Sequence, residues 1–104
     1  MANNIMSFPL SRSAGITVAE AEGIAARALG FLAGEPQRLV HFLELTGIGL
    51  DDLRARAGAP GMLAAVLDHV ARDESLLLVF AADSGLPAEQ VARAAEVLGG
   101  AFPR

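Results

Sequence analysis

The sequence predicts an all-α protein, a compact single-domain bundle of five to six short helices with a central apolar helix near residues 74–84. Three observations predict it. Of 104 residues, 53% are hydrophobic but only 5% aromatic, with no Trp or Tyr. Ala supplies 21 positions, so the core is built from small and aliphatic side chains. Such side chains suit closely approaching helices better than a sheet, which favours β-branched and aromatic residues. Apolar residues also recur at helical spacing, and Gly or Pro punctuates the segments between them.

The elements follow in order. "TVAE" is a capping box that starts a first helix at about Val18. The Thr17 hydroxyl accepts from a first-turn amide while Glu20 reaches back to the Thr17 amide. Val18, Ala21, Ala25, Ala28, Leu29 and Leu32 form its stripe as far as Ala33, and Gly34 ends it. A second helix starts at Pro36, where the missing N–H costs nothing, and stops at Gly47. A third, short one spans about Leu50 to Ala57 before Gly58, with Asp51 and Asp52 favouring its dipole. The fourth runs from Pro60 to about Ala71 with Leu63, Val66, Leu67 and Val70 inward. Ala65, Asp68, His69 and Arg72 then make its solvent stripe. The fifth runs from about Glu74 to Ser84 and is apolar on every side over Leu76 to Phe80, which predicts the most buried position. The sixth runs from about Pro87 to Leu98, stopped by Gly99 and Gly100. This gives a tail over residues 1–15, a helical domain over 16–100 and a short tail over 101–104.

Charge and composition narrow the function. The net charge is −4, and all eight positive side chains are Arg. A Lys-free acidic surface is a poor platform for nucleic acid or anionic lipid, where clustered positive charge drives binding. The absence of Cys excludes disulfides, thiolate metal sites and Cys nucleophiles. The N-terminus lacks the basic segment of a signal peptide. The longest apolar run, Leu76 to Ala82, is far short of the roughly 20 residues that span a bilayer. The expectation is a cytoplasmic protein with no membrane contact.

A faint internal repeat sets Phe42, Gly47, Leu53 and Arg56 against Phe80, Gly85, Val91 and Ala94, each pair 38 residues apart. The last pair fails in chemistry; the pattern reflects either a duplication or only the shared grammar of helical hairpins, and the small number of matching positions favours the second. The blocks "FLAGEP", "FLELTG", "LDHVARDE" and "LLLVFA", together and in this order, resemble the small bacterial family catalogued as domain of unknown function 3572, over roughly Val18 to Gly100. The resemblance implies an all-helical single domain and carries over no functional residue. His41 and Met62 depart from the family's usual pattern, which argues against a mechanism built on either.

The densest chemistry lies in "VLDHVARDESLL", Val66 to Leu77. As a metal site, Asp68, His69 and Asp73 would be joined by His41 and Glu44 of the second helix. Converging ligand faces are needed for that, and the helical wheel turns both histidines outward. No metal or cofactor is therefore expected. Asp73 reads instead as the N-cap of the fifth helix, and Arg72 as a cation in the last turn of the fourth. No residue is assigned a catalytic role: there is no Gly-rich phosphate loop after a strand and no nucleophile elbow. A helix-turn-helix is the main rival reading. "FAADSGLPAEQVARA" would present Gln90 and Arg93 to a groove, and "LTGIGLDDLRAR" would present Arg54 and Arg56. Glu89, Asp51 and Asp52 stand where phosphates would lie and oppose it.

The favoured expectation is a small protein–protein interaction or scaffold module, binding an unknown protein partner or a second copy. The alternatives are a nucleic-acid-binding protein and an enzyme without a recognisable motif. Asp73→Ala removes a capping acceptor and is expected to lower the unfolding free energy by about 0.5–2 kcal/mol, measured in urea.

Overall fold

Six helices make up residues 15–102, the part of the chain that the structure, a computed structural model, describes. They are α1 (Val18–Ala33), α2 (Pro36–Thr46), α3 (Leu50–Ala55), α4 (Pro60–Arg72), α5 (Glu74–Ser84) and α6 (Ala88–Ala101). No strand occurs among the described residues. The N-terminal tail, apart from Gly15, and residues 103–104 lie outside them.

The starts and stops are set by the side chains named above. The Glu20 amide donates to Thr17 Oγ1 and the Thr17 amide to Glu20 Oε1, each at 3.0 Å, so the capping box is complete. The Leu76 amide donates to Asp73 Oδ1 at 3.2 Å, which makes Asp73 the N-cap of α5. Gly47 and Gly85 close α2 and α5 in the left-handed region, at φ 75° and 73°, a conformation that only Gly adopts without penalty.

Two helix ends differ from the sequence reading. The third helix stops at Ala55 rather than Ala57: the backbone leaves the helical region at its C-cap Arg56, at φ −124°. The sixth continues through Gly99 and Gly100 to Ala101. Neither glycine takes a positive φ, and the burial of Leu98 with Phe102 packed on the core holds the last turn in place.

The larger correction concerns the centre. Helix α5 buries only Phe80 and Ala81, and Leu78 and Val79 stand 53% and 48% exposed. The central helix is α4, where Met62 through Leu67, His69 and Val70 are all buried. The physical reason is coverage. Helices α1 and α6 pack on each other and both pack on α4, while α2 and α5 close its remaining sides. Among the described residues no helix is left to wrap the outside of α5. Ala21, Ala25, Ala28 and Ala94 are fully buried along this seam, and side chains this small let helix axes approach closely.

The faint repeat is structural. Helices α2 and α5 have 11 residues each and begin and end 38 positions apart. The Thr46 and Ser84 hydroxyls both donate to the carbonyl four residues back, each at 2.7 Å, just before the two left-handed glycines. The ring contacts are reciprocal. Phe31 of the first half meets Phe80 of the second, with centroids 5.3 Å apart. Their counterparts His69 and Phe42 meet at 5.1 Å. Hairpin grammar does not dictate such cross-contacts, so the halves repeat one another in packing as well as in punctuation. The third helices break the likeness: α6 is long and spans α1 and α4, whereas α3 is short.

Backbone conformation gives a paired test. Gly85→Ala meets no steric obstacle but a left-handed φ, and is expected to cost about 1–2 kcal/mol. Gly99→Ala, also unobstructed and inside a helix, is expected to gain about 0.5–1 kcal/mol. Urea midpoints of the two variants should shift in opposite directions.

Candidate functional site

The corner at Arg72 and Asp73 is built by the end of α4 and the start of α5, with α2 laid across it. The sequence reading put Ala65 and His69 on a solvent stripe. Both are buried, because α2 covers that side of α4. His69 is 8% exposed. Its ring meets Phe42 edge-on at 78° and lies 6.0 Å from the exposed His41 ring. Its Nε2 is buried without a hydrogen-bond partner. Asp68 accepts from Arg72 Nε at 2.8 Å. A cleft of about 410 Å³ opens here, lined by Leu45, Thr46, Ala65, Asp68, His69, Arg72 and Asp73.

Burial pushes His69 below the ordinary histidine range, and His41 pushes it further down. Asp73 and Asp68 pull the other way without winning. The two histidines do approach one another, but among the described residues no group of three or more His, Asp or Glu is placed to hold a metal ion. Glu44, on the exposed face of α2, is not among the residues lining the cleft.

A larger groove, about 1140 Å³, runs between the first half of α1 and the start of α6. Ile16, Ile24 and Leu86 contribute apolar lining, while Arg27, Gln90 and Arg93 alternate with Glu20 and Glu89. Thus Gln90 and Arg93 share one surface, but with carboxylates. Arg54 on α3 and Arg56 at its C-cap are exposed and do not line it. Arg56 pairs with Asp52 at 3.8 Å on the open surface, a contact worth little.

Several features escaped the sequence reading. Arg38 stacks its guanidinium 4.1 Å above the Phe31 ring, which in turn tilts against Phe80. Arg27 donates to the Ser84 carbonyl at 2.7 Å and so ties α1 to the end of α5. The 38-residue offset gave no signal for the first, since it sets Arg38 against Leu76. Nothing in the local pattern pointed to the second.

A family model described as "Protein of unknown function (DUF3572)" matches residues 18–101. The chain belongs to this family. The match runs through all six helices, from the first residue of α1 to the last of α6. Neither a curated protein nor a solved structure matches the chain. Membership in DUF3572 therefore fixes kinship and assigns no activity. No helix among the described residues is long and apolar enough to cross a membrane.

His69 makes the stability of this DUF3572 protein pH-dependent. Its folded pKa lies below the ordinary value of 6.5, so the unfolded chain binds the proton more readily. The stabilisation is complete above about pH 6.5 and is lost as pH falls through and below it. His69→Phe installs the ring that its counterpart Phe31 already carries. Urea midpoints measured from pH 7.5 to 5.0 should show the variant gaining steadily on the parent protein as the pH drops.

Proposed function

We propose that this DUF3572 protein is a small protein–protein interaction module whose contact face is the outer side of α5. One observation carries the reading. From Ser75 to Ala82 the helix holds eight consecutive uncharged residues, yet Leu78, Val79 and Ala82 are exposed. A helix that is apolar all round belongs in an interior, and among the described residues no further helix covers this one. A concentrated exposed apolar face of this kind marks contact surfaces on proteins of this size. Covering the exposed parts of Leu78 and Val79 would contribute on the order of 2 kcal/mol to association.

Nucleic-acid binding is the second reading. It draws support from the left-handed Gly85 turn that leads into α6 with Gln90 and Arg93 exposed. Glu20 and Glu89 in the same groove weaken it, since carboxylates repel phosphates where cations are few. No residue is proposed for catalysis, and the location proposed is cytoplasmic.

The pair Leu78→Glu and Val79→Glu tests the first reading. Both side chains are about half in solvent, so each variant should lose about 1–2 kcal/mol of unfolding free energy, from the half already covered, and stay folded. In-cell cross-linking of the parent protein should give a discrete larger species that both variants lose. A folded variant with an unchanged cross-linking pattern would overturn the assignment of this face. Salt-sensitive duplex binding lost in Arg93→Ala would put the second reading in its place.

A further inference from the structure

The two halves of the repeat differ at one position that bears on binding. Where α1 meets the end of α5, the Arg27 guanidinium donates to the carbonyl of Ser84, the last residue of that helix, at 2.7 Å. Shifted by 38 residues, Arg27 becomes Ala65 and Ser84 becomes Thr46, the last residue of α2. Ala65 ends at a methyl group. At that place stands the cleft of about 410 Å³, lined by both Ala65 and Thr46. The cleft is thus the position that a guanidinium fills in the other half.

Its chemistry suits a cation. The C-terminal end of α2 presents carbonyl oxygens and the negative end of the helix dipole. Asp73 lines the cleft with a carboxylate of which only Oδ1 is engaged, by the Leu76 amide. Asp68 adds a second carboxylate, bonded to Arg72, whose own side chain is 74% exposed. His69 lines the same cleft, is more than nine-tenths buried, and has an Nε2 without a partner. Neutral at physiological pH, its ring sets no positive charge against an incoming one. Leu45, 66% exposed, supplies an apolar wall.

We propose that the cleft between α2 and α4 receives an arginine side chain from a protein partner. Its guanidinium sits against the end of α2 and Asp73, and its aliphatic stem lies along Leu45. Arginine is favoured over lysine because its planar fork addresses a carbonyl and a carboxylate together, as one arm of Arg27 already does at Ser84. The inference rests on the interaction-module reading and names the chemistry of the partner, at a surface separate from the outer face of α5.

The test uses the full chain and a probe that lacks any apolar partner surface, N-acetyl-arginine methylamide, followed by amide chemical shifts. Its neutral near-isostere, the N-acetyl-citrulline methylamide, is the control. The arginine probe should give saturating shifts at Thr46, Gly47, Ala65 and Asp73, with the citrulline probe at least about tenfold weaker. Ala65→Arg should abolish the effect by filling the cleft from within. Asp73→Asn keeps the helix cap and should weaken binding by a factor of about three to ten. Arg27→Ala should open a second site, read as new shifts at Ser84 and Gly85. The proposal is overturned if the arginine probe gives no saturating shifts at the cleft, if citrulline matches it, or if folded Asp73→Asn binds as the parent does. Leu78→Glu should leave probe binding unchanged, so failure of the α5 face and failure of the cleft are read separately.

Discussion

The burial of α4 on all but one narrow edge is the constraint on which the rest of the structure depends. A chain with few aromatic residues must gain its stability from contact area between small side chains, and this requires one helix that others can press against from several directions. Pro60–Arg72 meets that requirement because Ala64 and Ala65 flank its larger residues. With methyl groups on those flanks, α1 and α6 close on one side and α2 on the other. The cost falls at His69, a polar ring carried inside with one nitrogen unpaired. An orphaned buried polar atom is destabilising, and the edge of the Phe42 ring offsets part of that through aromatic contact.

Once α4 is central, the condition of α5 follows. The helices that could have covered it are already committed to α4, and its own inward side is satisfied by Phe80 and Ala81 with Leu76 and Leu77 partly covered. The outer residues remain in solvent although nothing about their chemistry prefers it. The same logic separates the third helices of the two halves. The longer α6 reaches across α1 and α4 and buries Val91, Ala94 and Leu98, whereas α3 anchors through Leu53 alone. One unit of the repeat is therefore closed and the other is left with accessible surface beside α2.

How much of this was legible in the sequence depended on the range of the forces involved. Caps and stops are local, and Thr17, Asp73, Gly47 and Gly85 could be read because each acts within a turn of itself. Helix composition was legible for α5 and still misplaced it, because the run Leu76 to Phe80 states that the helix is apolar without stating what covers it. His69 failed for the opposite reason. Its wheel position is polar by neighbours, with Asp68 and Arg72 beside it, and only the approach of α2 from a distant part of the chain buries it. Gly99 and Gly100 were misread because a glycine ends a helix only where the backbone must turn left-handed. The buried Leu98 and the packed Phe102 give it no reason to. The candidate cleft was the least legible feature, since it depends on comparing Ala65 with an arginine 38 residues earlier.

That comparison also explains why the two crossings differ in kind. In the half closed by Arg27, the chain satisfies the end of α5 with its own guanidinium, a charge-assisted contact that ties two helices together. In the other half, α2 is tied less firmly: Phe42 is its one fully buried residue, and its last turn, at Leu45 and Thr46, lines a cleft. A helix end of this kind can be satisfied by water or by an incoming donor. Filling both crossings from within would have made a more rigid protein with no recess beside α4. Leaving one open keeps the carboxylates, the helix end and an apolar wall in a single concavity. Arginine at position 27 and alanine at the equivalent position 65 thus separate the two halves: one crossing is bridged from within, and the other is left as a cleft.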